Sequence, residues 1–282
     1  MDPFYLKKCK DLDDFISKVK KYINTGWIFR GQRICSRGLK HSFERVCERF
    51  TVDGKDRLRV ESNMVREFQR RLHHYTQNIP DMNSYDEWMA LMQHHGAPTR
   101  LMDFTYSPHV AAYFAFESAK SDTEVAIWAV NAEWCKKHLE EFPKHLHRRY
   151  RTYLNTRETE AFKEIFLQEK AEKFILTVNP FRLNERLAYQ RGVFLCPSNV
   201  EHTFMDNMCA YTEMKELKNK VIKFTIPTGK NNNITKKALE YLDILNISRI
   251  TLFPGLDGFA QSFGPKIDSL FLRQHFPLFS QC

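Results

Sequence analysis

The sequence predicts an α+β fold, a mixed β core wrapped by helices in a single domain over residues 1–282. Strand-like and helix-like segments follow one another without regular alternation, which argues against a doubly wound sheet. Apolar residues make up 43% of the 282-residue chain and 23 residues are Phe. A chain of this length buries about three quarters of its unfolded surface, so that material supplies a large core. From Lys136 to Lys173 the chain turns polar and helix-prone and contains no Gly. That stretch predicts a helical insertion, over about residues 136–173, rather than a second domain.

The elements follow in order. Leu12, Phe15, Ile16 and Val19 recur at helical spacing, so Asp11 to Tyr22 forms a short amphipathic helix, ended by Asn24-Thr25-Gly26, within a helical N-terminal extension over 1–23. Trp27-Ile28-Phe29-Arg30 is a strand expected to stop at Gly31. Lys55 to Thr76 is a long charged helix. Ser84-Tyr85-Asp86-Glu87 has the capping-box pattern and opens a helix through Trp88, Leu91 and Met92 to Gly96. Arg100 to Phe104 is short and extended. Pro108 suits the first turn of a helix through Val110, Ala111, Tyr113 and Phe114. Glu124 to Val130 is a strand, and strand-like runs return at Phe174 to Val178, Val193 to Cys196 and Val221 to Ile226. Ile234 to Leu245 is a helix, Ile250 to Phe253 is apolar, and Gln261 to Phe276 is expected to form a last helix.

No apolar run approaches the roughly 20 residues a membrane helix needs. Met1-Asp2-Pro3-Phe4-Tyr5 lacks the basic-then-apolar order of a secretory signal. The 7 cysteines are scattered, with no Cys-x-x-Cys pair, so neither a disulfide framework nor a structural zinc is expected. Reduced thiols in a cytoplasmic protein fit that spacing. A formal charge of +9 and a pI of 9.1 favour an acidic partner, whether nucleic acid, nucleotide, acidic protein or membrane face.

Three stretches are too specific in type and order to be composition. The first is Trp27-Ile28-Phe29-Arg30-Gly31-Gln32. The second runs from Met92-Gln93-His94-His95-Gly96-Ala97-Pro98-Thr99-Arg100-Leu101-Met102-Asp103-Phe104-Thr105 through Ser107-Pro108 to Ala112-Tyr113-Phe114-Ala115. The third sets Arg186 with Gln190, Gly192 and Phe194. With Leu252-Phe253-Pro254-Gly255-Leu256-Asp257-Gly258 they resemble the FRG domain family, over roughly residues 25 to 260. The order of motifs also resembles, more distantly, ADP-ribosyltransferases of the Arg-Ser-Glu type. Arg30 comes first. Thr105 and Ser107 then precede Ala111-Ala112-Tyr113-Phe114-Ala115, and Gln190 precedes Val193-Phe194-Leu195 where that pattern has a glutamate.

The resemblance implies an ADP-ribosyltransferase-like β core, with NAD as substrate and no metal. It implies a compact toxin of a toxin–antitoxin or phage-defence system, with an antitoxin protein as partner and no membrane. The expected acceptor is nucleic acid, RNA favoured over DNA. Arg30, Asp103 and Gln190 are the expected catalytic residues. Arg30, Gly31, Gln32, His95, Thr99, Arg100, Thr105 and Tyr113 are the expected NAD contacts.

The chemistry makes sense of these residue types. Breaking the nicotinamide–ribose bond passes through an oxocarbenium-like state that needs a nearby negative charge, and the diphosphate suits the planar fork of an arginine. Arg30 at a strand end, beside a glycine that lets the backbone approach closely, fits the diphosphate; alternatively it pairs with a buried carboxylate. Asp103 is the candidate acid, or it pairs with Arg100 or Arg30. Thr99 and Thr105 contact the ribose or cap the turn before the helix. His94 and His95 either complement the helix C-terminus or face the site. A glutamine can hydrogen-bond a ribose hydroxyl but offsets no charge. So either Asp103, Glu185 or Glu124 supplies the charge, or the domain binds a nucleotide without turning it over.

Lys144-His145-Leu146-His147-Arg148-Arg149-Tyr150-Arg151 is the second functional candidate. Lys144, Arg148, Arg149 and Arg151 can track a phosphate backbone, with Tyr150 free to stack on a base. The other reading is a solvated helix face whose cations pair with Glu140, Glu141 and Glu158. Other functional classes stay open. They are a non-catalytic nucleotide- or nucleic-acid-binding module, an NAD glycohydrolase, a transferase with a protein acceptor, and a metal-dependent hydrolase using His94, His95 and Asp103. Adjacent histidines on a helix point in different directions, which disfavours the last.

Overall fold

Strand β4 (Glu124–Asn131) is buried without a break from Val125 to Val130, and β7 (Val221–Pro227) from Val221 to Ile226. Strands buried without a break are covered on both faces, and these two sit in a seven-stranded sheet of order β1-β7-β4-β2-β3-β6-β5. The other strands are β1 (Tyr5–Lys8), β2 (Trp27–Gln32), β3 (Met102–Thr105), β5 (Ile175–Val178) and β6 (Gly192–Pro197). β1 runs parallel to β7, and every other pairing is antiparallel. The computed structural model describes residues 4–137, 144–156, 159–169, 171–180, 185–210 and 214–263. Together these give the mixed α+β architecture expected from the sequence.

The helices are α1 (Leu12–Val19), α2 (Ser42–Arg49), α3 (Gly54–Arg71), α4 (Tyr85–His94), α5 (Pro108–Phe116), α6 (Ala132–Lys137), α7 (Lys144–Thr156) and α8 (Thr159–Phe166). They are followed by α9 (Glu185–Tyr189), α10 (Phe204–Cys209), α11 (Met214–Lys220), α12 (Asn233–Ile244), α13 (Arg249–Leu252) and α14 (Leu256–Gln261). Alternation along β4 sorts its side chains. Val125, Ile127 and Ala129 pack with α1, α5 and α12, while Trp128 and Val130 pack with α6, α10 and α11. A third cluster joins α3, α4, α7 and α8 to β5 and β6 around Trp88, Tyr150, Tyr153, Phe162 and Phe166. No helix among the described residues is long and apolar enough to cross a membrane.

Two features of the sheet position the site. β2 meets β3 at a single bridge, Phe29 to Thr105, whereas β2 and β4 pair from Trp27 to Gln32. The sheet therefore parts between β2 and β3, and the residues just past the bridge face a gap. β2 also does not end at Gly31. Gly31 pairs with Ile127 and Gln32 with Ala126, so β4 carries the strand two residues past Arg30.

Several boundaries differ from those expected. α4 begins where predicted, but Ser84 makes no side-chain cap hydrogen bond, so the capping-box pattern is not realised. Ile250 to Phe253 is mostly the helical turn α13. The predicted last helix from Gln261 to Phe276 lies almost wholly outside the described residues. Strand β1 and helices α2, α9, α10 and α11 were not expected.

Candidate functional site

Where β2 and β3 part, a cleft of about 710 Å³ opens, lined by β2, β3, α9, and the loop and helix that follow β2. Its charge is one-sided. Arg30, Arg33, Arg37, Lys40, Arg45 and Arg186 face two carboxylates, Glu48 and Asp103, so six cations stand against two anions. One cation is neutralised locally, because Lys40 pairs with Glu48. A concave site with that excess concentrates anions.

Arg30 fills the gap between the strands. Its Nη1 donates to the Asp103 carbonyl oxygen at 2.6 Å and lies 3.8 Å from the Asp103 carboxylate, and the side chain is 22% exposed. Its Nε is buried and has no hydrogen-bond partner. Burial pulls the guanidinium down from its usual range and Asp103 pushes it back; arginine stays cationic at neutral pH regardless. Asp103 is half exposed and also accepts from Gln93 Nε2 at 2.8 Å. It lies in the field of Arg186 as well, where it again opposes the lowering caused by burial. The carboxylate is thus shared among Arg30, Gln93 and Arg186 rather than paired with Arg100.

Arg186, on α9, is half-buried with its guanidinium 4.5 Å from the centre of the Phe253 ring. Arg249 stacks on the same ring at 4.5 Å, and Phe114 meets it edge-on at 5.9 Å. Gln190 lies between α9 and β6 and is buried. Its Nε2 donates to the Leu252 carbonyl at 3.0 Å, and its own carbonyl accepts from Thr105 Oγ1 at 2.7 Å. The motifs around Arg30, Asp103, Gln190 and Phe253, far apart in the chain, thus converge at the cleft.

Other expected contacts are elsewhere, each for a packing reason. Arg100 is fully buried. Its Nε donates to Glu61 at 2.9 Å and its Nη1 to the carbonyls of Phe166 and Ser198, so no ligand reaches it. Thr99 is buried too. It donates to Gln93 Oε1, and its backbone is tied to Ser42 and Phe43. Tyr113 is packed in the core with its hydroxyl on Glu117 at 3.0 Å, and both the burial and that carboxylate push its pKa up. His95 is exposed and lines no part of the cleft. His94 is half-buried, and burial, then His95, then Arg186 lower its pKa.

Gly31, Gln32 and Thr105 line the cleft while serving the scaffold. A methyl on Gly31 would meet α5, not a ligand, at the Ala111 carbonyl oxygen. Gln32 accepts from Trp128 Nε1 at 2.7 Å and donates to the Gly38 carbonyl at 3.1 Å. Thr105 accepts from the Ser107 amide at 3.0 Å, bracing the turn into α5.

The basic segment forms helix α7. Lys144, Arg148 and Arg151 are exposed, and their spacing sets them on one helical face. Arg149 instead donates to Glu164 at 2.6 Å. Tyr150 is not free to stack, since it is buried with its hydroxyl at the Thr177 carbonyl (3.0 Å). None of these residues lines the cleft. Glu140, Glu141 and Glu158 lie outside the described residues. No group of three or more His, Cys, Asp or Glu side chains able to hold a metal forms among the described residues.

Sequence reasoning gave no site role to Arg33, Arg37, Lys40 or Arg45. Their closeness in sequence to Gln32 was the available signal, but nothing local says that the loop turns back over the cleft.

No curated protein and no solved structure matches the chain. The family model described as the FRG domain matches residues 25–124. That span holds β2, β3, α5 and the first residue of β4, with the Arg30 and Asp103 walls of the cleft. Arg186 and Gln190 close the cleft from outside it. Residues 25–124 are thus similar to the FRG domain, and the gap where β2 and β3 part within that span is the candidate site.

Proposed function

We propose that the cleft binds NAD, with the diphosphate on Arg30 and Arg186, and that the chain is an NAD-dependent ADP-ribosyltransferase of the toxin or phage-defence kind. A nucleic acid, RNA before DNA, is the acceptor. The observation that carries the reading is the excess of cations in a concave gap, with the Arg30 Nε buried and unpartnered. The order of motifs supports the reaction. In it the bond between the ribose carbon and the nicotinamide nitrogen breaks, and nicotinamide leaves with the electron pair. The acceptor's nucleophile bonds to the same carbon and gives up its proton. Asp103 is the carboxylate available to face the oxocarbenium charge, taking the role of the glutamate whose place in the Arg-Ser-Glu pattern is held by Gln190.

One observation favours a second reading. Gln190 is buried and its amide is spent on the Leu252 carbonyl, which suits a module that holds a nucleotide without cleaving it.

The deciding experiment incubates the full chain, Arg30→Ala and Asp103→Asn with adenine-labelled NAD and with RNA, DNA or protein, following label transfer and nicotinamide release. Transfer by the wild type, lost in Arg30→Ala at a nearly unchanged thermal midpoint and lowered in Asp103→Asn, is expected. Free ADP-ribose as the only product identifies a glycohydrolase. NAD binding with no transfer and no nicotinamide release, from folded protein, establishes the second reading instead.

A further inference from the structure

Between β2 and α2 the chain forms a loop, residues 33–40, that is fixed at several points. Gln32 Nε2 reaches the Gly38 carbonyl at 3.1 Å, Lys223 Nζ the Arg37 carbonyl at 3.4 Å, and the Cys35 amide the Glu124 carbonyl at 3.1 Å. Leu39 anchors its far end, fully buried. Yet Arg33 and Arg37 are exposed on this pinned loop, and both line the cleft. Arg45 on α2 is exposed beside them. It donates to the Lys40 carbonyl at 2.5 Å and acts electrostatically on Arg30. Among the described residues none of these three arginines has an ion-pair partner, while Lys40 is taken by Glu48.

A fixed loop holding unpaired guanidinium groups at the rim of a cleft has no packing explanation. Such groups repel one another and Arg30, and only an anion relieves this. The inner cations, Arg30 and Arg186, are half-buried and suit a compact ligand that enters the gap; the outer three are open to solvent and spread along the rim. We propose that Arg33, Arg37 and Arg45 form a second anion site, which binds the sugar–phosphate backbone of a single-stranded nucleic acid and leads it across the cleft mouth. Because the anchor is pre-set, little ordering entropy is lost on binding. The α7 face cannot substitute. Tyr150 ties α7 to β5, three strands from β2 in the sheet, about 14 Å away at the usual strand spacing.

The idea that the strand is an acceptor rests on the transferase reading above; the binding itself does not. The test titrates a fluorescent single-stranded RNA of about 12 nucleotides with the full chain at several salt concentrations, and measures NAD binding by calorimetry in parallel. Two triple variants are compared, Arg33→Gln/Arg37→Gln/Arg45→Gln and Lys144→Gln/Arg148→Gln/Arg151→Gln. The rim variant is expected to weaken RNA binding roughly tenfold to a hundredfold and to flatten the log–log salt slope by about 2, some 0.7 for each phosphate that is no longer neutralised. Its NAD affinity falls much less than its RNA affinity, because only the field of the three rim cations is lost while Arg30 and Arg186 remain, and the α7 variant loses less RNA affinity than the rim variant. Failure of the wild type to bind RNA at low salt overturns the proposal. So does a larger loss in the α7 variant, or a loss of NAD binding in the rim variant as large as its loss of RNA binding, which assigns the three arginines to the nucleotide. RNA binding that needs the rim in a protein that binds no NAD leaves this site standing and removes the transferase reading.

Discussion

A methyl group on Gly31 would stand 2.0 Å from the Ala111 carbonyl oxygen and 2.6 Å from the Ala115 amide nitrogen. Both are backbone atoms of α5 and cannot swing aside. The glycine beside Arg30 therefore exists to let α5 press on β2, not to admit a diphosphate. Gly31→Ala should cost about 3 kcal/mol in denaturant unfolding, since overpacking here must move a helix. Gly38→Ala, where nothing lies within 4 Å, should stay within about 0.5 kcal/mol. Equal losses at the two positions would show that α5 gives way freely. The same residue type can serve opposite ends within one site region. Arg100 is buried against Glu61 and orders the fold, whereas Arg30 keeps an unpartnered Nε at the cleft. Sequence neighbours do not distinguish them, because the deciding partner, Glu61, lies on α3 and only the fold brings it in.

Helix α5 shows what the sequence does make legible at the scale of an element. Ser107 Oγ accepts the Val110 amide at 3.3 Å, and Pro108 occupies the first turn, where it gives up no hydrogen bond. Ser107→Ala should lower stability by about 1 kcal/mol, read as a shift in the denaturant midpoint at unchanged slope; no shift would mean that solvent replaces the cap. Since α5 backs Gly31, the same variant tests whether its N-terminus holds the cleft wall. Strands β4 and β6 were legible because burial on both faces forces near-continuous apolar runs, and β7 because Val221, Ile222, Phe224 and Ile226 outweigh Lys223 and Thr225 within it. β1 was not, because Tyr5 and Leu6 remain exposed on an edge strand and Lys7 and Lys8 break the pattern. α7 was legible as a helix, but not the direction of its side chains. Tyr150 turns inward to Thr177, where the local run of cations suggested an outward face. In the site, Arg30, Asp103 and Gln190 were recognisable from motifs. The rim arginines were not, because their placement depends on how the 33–40 loop is pinned to β4 and β7.

At the scale of the molecule, a chain of formal charge +9 carries 11 His that are counted as neutral, so acidification adds charge to an already cationic fold. His41 makes part of that cost specific. It is buried at the start of α2, where its Nδ1 accepts the Glu44 amide at 3.0 Å, and it faces Glu44, Arg45, Arg57 and Arg100. Burial first, then those arginines, push its pKa from 6.5 down to about 3. Between those values the unfolded chain takes a proton that the folded chain refuses. The stability His41 contributes is therefore complete above about pH 6.5 and is lost as the pH falls toward about 3. Glu44 works the other way. Burial holds its pKa above 4.5, so it contributes stability below that value and loses it as the pH rises through its folded pKa. The two slopes partly cancel in the wild type, and a variant is needed to separate them. His41→Asn keeps an acceptor for the α2 cap and removes the imidazole. As the pH rises from roughly 4.5 to 6, the stability difference between wild type and His41→Asn should grow by about 1.4 kcal/mol per pH unit in favour of the wild type. A difference that does not change with pH would mean that His41 takes up its proton inside the fold, and that α2 opens to solvent before the rest of the sheet does.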